Sequence, residues 1–275
     1  VLPEGRPALM GILNVTPDSF SDGGLHLDPL LAVAAGRQMV ADGADLVDVG
    51  GESTRPGAEP VTEAEELKRV VPVVQALCTD GIRVSIDTTK PAVAEACLAA
   101  GAEVLNDVTG FQNPELREIC ARHGATACIM HMQGEPRTMQ NNPSYNDVVG
   151  EVAAYLEEQA QFVQAAGVRD VWVDPGIGFG KTTAHNLALL RHMGAFTALG
   201  YPVLIGLSRK AFLGRILGSE AEPLPTSERE EATLAAKEAT LAANLFAAAH
   251  GARILRVHNV RGHARALRAW RALTD

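Results

Sequence analysis

Eight short apolar runs, each stopped by a polar or charged residue and followed by a stretch of helical period, constrain this chain more than any other feature. The runs are Ala8 to Asn14, Leu46 to Glu52, Val84 to Asp87, Val104 to Asp107, Ala127 to His131, Val171 to Asp174, Val203 to Ser208 and Ile254 to His258. Their Val, Ile and Leu content suits strands buried on both faces of a parallel sheet. Between them, Leu30 to Val40, Leu67 to Leu77, Ala153 to Val163 and Leu234 to Phe246 carry the period of crossover helices. Such βα units predict an α/β fold of one kind, a closed (β/α)8 TIM barrel, whose strand carboxyl ends open on a single mouth. Reactive side chains at the strand ends are expected to meet there.

The 275 residues match the roughly 250 of one barrel, so a single domain spanning 1–275 is expected. No apolar stretch approaches the ~20 residues that span a bilayer, and no charged-then-apolar leader opens the sequence, which predicts a soluble, cytoplasmic protein with no membrane partner. A net charge of −9 argues against nucleic acid as a partner. It leaves room for a small anion, because Arg55, Lys90, Lys181, Arg209, Lys210 and Arg256 stand just beyond strand ends. Cys78, Cys97, Cys120 and Cys128 lie in or beside apolar patterns without C-x-x-C spacing and are expected to be buried thiols.

Helix signals fall where crossovers need them. Thr62 with Glu65 and Ser227 with Glu230 fit a capping box, and Pro91 and Pro114 suit a first helical turn. Gly43, Gly101, Gly124, Gly167, Gly200 and Gly251 each precede a strand by one to four residues, as left-handed helix caps do. Three βα connections, the first, second and sixth, are long and rich in Gly and Pro: Val15 to Leu27, Ser53 to Pro60 and Pro175 to Thr183. Loops of that kind on a compact scaffold tend to bind or cover ligands. Leu217 to Pro225 reads as a surface linker between a short helix near Lys210 and a long one from Ser227.

Several strand ends carry chemistry, each with a plainer alternative. Asp87, Asn106, Asp107 and Asp174 could accept the N–H donors of a flat heterocycle, since a carboxylate takes two parallel hydrogen bonds from a guanidine-like edge. Alternatively, Asp87 caps the helix after Lys90 and Asp174 closes an Asp-Pro turn. Arg256 and His258, two apart on one strand, point the same way and suit a phosphate or diphosphate. The alternative is an arginine paired with a barrel carboxylate and a hydrogen-bonded histidine. Ser208-Arg209-Lys210 adds cations opening onto a helix. Gly176 to Thr182 resembles a phosphate-binding P-loop but has Pro175 where the pattern needs glycine, so ATP binding is not expected. No cluster has the spacing of a zinc site, whereas Mg²⁺ arriving with a diphosphate needs an oxygen ligand or two, for which Asn14 is the candidate. Met130 and Met132, flanking His131, suit barrel packing or one face of a heterocycle.

Taken together, NVTPDSFSDGG from Asn14, GGESTRPG from Gly50, SIDTTKP from Ser85, LNDVTG from Leu105, MHMQG from Met130, DPGIGFGKT from Asp174, GLSRK from Gly206 and RVHNV from Arg256 resemble the dihydropteroate synthases, a family of pterin-binding TIM-barrel enzymes. The likeness runs from Met10 to about Arg261. It implies condensation of a dihydropterin-methyl diphosphate with 4-aminobenzoate, releasing pyrophosphate. It also implies that Asp87, Asn106, Met130, Asp174 and Lys210 bind the pterin, and that Asn14, Thr54, Arg256 and His258 hold the diphosphate with Mg²⁺ as cofactor. Thr54, Arg55, Pro56, Phe179 and Ser208 shape the aminobenzoate site, and Asp87, Lys210, Arg256 and His258 carry the chemistry. A homodimer packed through helices after strands six to eight, with Ala235, Ala239 and Ala242 on one face, is implied as well.

Two positions depart from the family pattern: Ala211 stands where Ser is frequent, and Asn259 where Asp is. Two other functions compete. A methyltetrahydrofolate–corrinoid methyltransferase shares the pterin-reading carboxylates but expels no diphosphate, so Arg256, His258, the SRK run and the STRP loop favour the synthase. A non-catalytic pterin-binding paralogue would have damaged first and second loops, and both are intact in sequence.

Overall fold

The computed structural model describes residues 2–16, 29–53, 60–135, 137–218 and 226–274. Eight strands close a barrel in chain order: β1 (Ala8–Asn14), β2 (Leu46–Gly50), β3 (Val84–Asp87), β4 (Val104–Asp107), β5 (Thr126–Met130), β6 (Val171–Asp174), β7 (Val203–Ile205) and β8 (Ala252–Val257). All pairings are parallel, and β8 returns to β1 with Met10 opposite Arg256. The eight expected strands are present. β2, β5, β7 and β8 end one to three residues before the terminal residues expected of them, so Glu52, His131, Ser208 and His258 stand on the connections.

Ten helices among the described residues cover the barrel: α1 (Pro29–Ala41), α2 (Glu63–Thr79), α3 (Pro91–Ala99), α4 (Pro114–His123), α5 (Val148–Ala165), α6 (Thr183–Arg191), α7 (Met193–Thr197), α8 (Ala211–Ile216), α9 (Thr226–Ala249) and α10 (Val260–Thr274). Pro91 and Pro114 open α3 and α4, and the six glycines expected at helix ends all have positive φ. The Thr62 hydroxyl caps α2, accepting from Glu65 N at 3.3 Å, but the Glu65 carboxylate turns to Arg69 at 2.9 Å, so the reciprocal half of that box does not form. A complete box stands instead at Thr182 and His185 on α6. The Ser227 and Glu230 side chains, the long first connection at 17–28 and the second at 54–59 lie outside the described residues.

Alternation along each strand sorts side chains into two layers. Leu9, Leu13, Val47, Val49, Ile86, Leu105, Ile129, Val173 and Leu255 face the helices and form the larger core. Ala8, Met10, Leu46, Val104, Cys128, Trp172, Leu204 and Ile254 fill the barrel interior. Burying a side chain such as Leu46 or Ile254 contributes roughly 1.5–3 kcal/mol, so this plug is a floor rather than a pore. Two residues further along β2, β4, β6 and β8 the inward positions become polar, at Asp48, Asn106, Asp174 and Arg256, and Asp87 ends β3 at the same level. The barrel is apolar below and charged above.

All four cysteines are free. Cys97, Cys120 and Cys128 are buried as expected, and Cys78 is half-buried. Burial pushes the Cys97 and Cys120 thiols up to about 12, which keeps them protonated and inert.

Candidate active site

The polar ends of the strands surround one cavity of about 580 Å³. Asn14, Asp87, Asn106, Met130, Asp174, Phe179, Ser208, Lys210, Arg256 and His258, gathered from seven strand ends, all line it. Thr54, Arg55 and Pro56 lie outside the described residues.

Arg256 organises the floor of the mouth. Its Nε donates to Asp48 Oδ2 at 2.6 Å and its Nη2 to Asp87 Oδ2 at 2.7 Å, while Asn106 Nδ2 donates to the same Asp48 oxygen at 3.2 Å. The plainer expectation for Arg256, a barrel ion pair, is therefore realised on a cavity-lining residue. Asp87 does not cap a helix, since Lys90 occupies the N-cap of α3 and its side chain makes no capping bond. Burial disfavours the charged guanidinium, yet Asp48 and Asp87 outweigh it and hold Arg256 above its ordinary value. Burial pushes Asp87 up to about 7 against the pull of Arg256, with the charges of Asp48, Glu66 and Asp107 adding to the rise.

Asp174, Lys210 and Asn106 line the same cavity from β6, from the connection after β7 and from β4. Asp174 is 8% exposed, and its Oδ1 accepts from Gly176 N at 2.7 Å, which is the turn expected after an Asp-Pro pair. Burial raises its pKa, while that N–H and the charges of Lys210, Arg256 and Lys181 pull the other way. Lys210 Nζ lies 4.0 Å above the Phe179 ring, and burial brings its ammonium down to about 8 although Asp174 opposes the shift. On β4, Asn106 faces the cavity, whereas Asp107 faces away and binds Thr109 and Phe111 N. Asp107 is thus a turn residue and not a reader of a heterocycle. His258 Nδ1 lies 2.9 Å from Ser208 Oγ, joining the ends of β7 and β8.

A model of the pterin binding enzyme family matches residues 10–258. A dihydropteroate synthase of Neisseria meningitidis serogroup C is 44% identical over 274 residues, covering 98% of this chain and 93% of that protein. The chain belongs to the dihydropteroate synthase family of pterin-binding enzymes.

Solved structures of that family share the barrel. The Thermus thermophilus dihydropteroate synthase in complex with 4-aminobenzoate superposes with a TM-score of 0.85 at 45% identity, over 98% of this chain and 95% of that one. The Xanthomonas albilineans dihydropteroate synthase in complex with 7,8-dihydropteroate gives 0.85 at 41% identity, over 99% and 95%.

Two expected mouth cations are engaged elsewhere. Lys90 is bound between Glu52 and Glu66 under the foot of the second connection, where Glu52 also accepts from Val61 N at 3.3 Å. Lys181 is buried against His131 and the turn after β6. Both ammonium groups are held by acceptors of the protein itself. His131 itself packs edge-on to Tyr155 with centroids 5.0 Å apart, the packing alternative, whereas Met130 faces the cavity.

Two contributors escaped the reading of strand ends. Asp48 lies mid-strand, fully buried, and its signal is a carboxylate inside an apolar run two residues before Gly50, on the same face as the mouth. Met139 reaches the cavity from the connection after β5, which is braced on the sixth connection by Gln140 Nε2 to Gly178 O at 2.6 Å and Tyr145 Oη to Gly180 O at 2.8 Å. No sequence pattern marked it.

Asn14 lines the cavity, and among the described residues no group of three or more His, Cys, Asp or Glu could hold a metal. A single amide oxygen fits Mg²⁺ carried in by a diphosphate, which takes its remaining ligands from phosphate and water, and does not fit a closed protein cage. No helix among the described residues is long and apolar enough to cross a membrane.

Proposed function

We propose that this cavity condenses (7,8-dihydropterin-6-yl)methyl diphosphate with 4-aminobenzoate to give 7,8-dihydropteroate and pyrophosphate. The observation that carries this is that Asp87, Asn106, Asp174 and Lys210 line one cavity together with Arg256 and His258. Asp174, Asn106 and Asp87 accept from the pterin edge, Lys210 donates to its carbonyl and ring nitrogen, and Met130 packs on the ring. Arg256 and His258 take the diphosphate, with Asn14 and Thr54 beside it. Phe179 and Ser208, with Thr54, Arg55 and Pro56 of the second connection, receive the aminobenzoate.

Cleavage is SN1-like. The carbon–oxygen bond breaks with its electron pair leaving on the diphosphate, and the positive charge on the methylene spreads into the electron-rich pterin. Arg256 stabilises charge growing on the leaving group, while Asp87 stabilises the cation, the preorganised electrostatic contribution that usually dominates catalysis. The neutral amine then forms the carbon–nitrogen bond and releases its extra proton, so no strong general base is required. Mg²⁺, bound with the diphosphate and Asn14, would supply further neutralisation of the leaving group. A corrinoid methyltransferase has no use for the Arg256 and His258 pair.

As a test, Asp174→Asn weakens pterin binding in calorimetry far more than aminobenzoate binding. Equal losses would remove Asp174 from the pterin site. Leu234 and Phe246 on α9 are 56% and 41% exposed, beside half-buried Ala235 and Ala239. We propose that this face, with exposed Ala242, packs a homodimer. Light scattering at micromolar concentration checks it, and a monomeric mass contradicts it.

A further inference from the structure

Lys181 takes no part in the proposed chemistry, yet it is 1% exposed and belongs to the segment whose near match to a phosphate-binding loop the reaction leaves unused. Its Nζ lies 2.9 Å from His131 Nδ1, 3.0 Å from Gly176 O and 2.9 Å from Phe179 O, with His131 O at 3.4 Å. An ammonium has three N–H donors, and three close acceptors saturate it. A neutral amine, with two N–H donors, keeps all three contacts only if its lone pair accepts from His131 Nδ1–H. For Nδ1 to accept, His131 must be neutral with its proton on Nε2. Burial and the charge of Lys181 bring that imidazole down to about 3, in agreement. Burial likewise draws Lys181 down to about 7, with the charge of Asp174 opposing the shift and that of Lys210 adding to it.

The loop around this ammonium lies flush on the chain after β5. A Cβ at Gly176 would stand 1.8 Å from His131 O, and one at Gly180 2.4 Å from Gln133 O, so only glycine passes at either point. Lys181 pins the same loop from inside. Phe179, whose carbonyl it holds, carries Lys210 Nζ over its ring and lines the cavity. Asp174, by contrast, keeps its own bond to Gly176 N.

We propose that Lys181 is a positioning residue for the second substrate: by fixing the Phe179 carbonyl it sets the wall that receives the aminobenzoate. This rests on the cavity being a synthase site. A misplacement of about 1 Å at such a wall is enough to cost up to about a hundredfold.

The test is Lys181→Met, which keeps the stem and removes the donors. With an unchanged circular dichroism spectrum, its 4-aminobenzoate KM rises roughly tenfold or more while the Kd for the pterin diphosphate stays within about threefold. Lys181→Arg, which returns charged donors, recovers part of that KM. A purely structural role would lower melting temperature and active fraction without splitting the two substrates. A folded K181M with wild-type aminobenzoate KM, or with both substrates weakened in proportion, overturns the role of Lys181 alone. Absence of turnover in the wild type overturns the reaction, and the inference with it. If K181M does not fold, nitrogen-15 NMR of the wild type decides: a neutral His131 protonated on Nε2 is expected, and a proton on Nδ1 overturns the proposal.

Discussion

Arg256 on β8 and Asp87 on β3 meet across the barrel mouth, Nη2 donating to Oδ2 at 2.7 Å, although their strands are not neighbours in the sheet. Asp48 on the intervening β2 holds the same guanidinium by Nε. One cation thus joins two strands that backbone hydrogen bonds do not, and an incoming diphosphate must share it with both carboxylates. That sharing makes the pair a balance as well as a brace.

Arg256→Ala leaves Asp48, which is fully buried, without its cation. Breaking a buried pair from one side costs about 3–5 kcal/mol, read as a lower urea midpoint. Binding of the pterin diphosphate weakens by ~1.5–3 kcal/mol in calorimetry. In Asp48→Asn with Arg256→Met, stability returns toward wild type while diphosphate binding does not. Recovery of both would show that Arg256 acts only through the fold.

Asp87→Asn keeps a group able to bond the pterin edge but removes the charge beside the developing cation. kcat is expected to fall by about a hundredfold or more, the scale of a lost electrostatic stabiliser, with pterin Kd changed far less. A variant whose Kd rises as much as its kcat falls would place Asp87 in binding alone.

The pH dependence follows from two shifted groups. Asp87, at about 7, gains its charge as pH rises through that value, and Lys210, at about 8, loses its charge just above. kcat/KM for the pterin diphosphate therefore peaks between the two. Lys210→Met flattens the alkaline limb, and a limb that persists in that variant belongs to another group. For stability the signs are opposite. From its ordinary 3.8 up to about 7 the folded state binds more of the Asp87 proton, so that contribution falls with rising pH; from about 8 to 10.5 the unfolded state binds more of the Lys210 proton, so that one rises.

Lys90 faces Glu66, which is 1% exposed and leaves Oε1 without a hydrogen-bond partner in the described structure. Lys90→Met is expected to cost about 3 kcal/mol in denaturant unfolding, and adding Glu66→Gln recovers more than half of it. A double variant no more stable than the single one would mean that the ammonium does not compensate Glu66.

The barrel was legible because a strand buried on both faces has a distinctive composition and because glycine and proline mark its helix ends. Asp87, Asn106, Asp174 and Arg256 were legible for the same reason: each interrupts an apolar run at the place where the barrel opens. What stayed hidden depends on tertiary approach. Lys90 and Lys181 follow strand ends like Lys210 does, and only the packing of Glu66 and His131 against them turns them inward. Met139 arrives from a connection with no periodic pattern at all. Asp48 was readable in principle, by stepping back two residues along the inward face.

The central claim is that one mouth grips a pterin by its edge and expels its diphosphate tail. The direct measurement is incubation of the chain with (7,8-dihydropterin-6-yl)methyl diphosphate, 4-aminobenzoate and Mg²⁺, following pyrophosphate and 7,8-dihydropteroate together. Equal amounts of the two products, abolished when either substrate is left out, are predicted. Binding of the pterin diphosphate without pyrophosphate release, or methyl transfer from methyltetrahydrofolate to a corrinoid protein in its place, would contradict it.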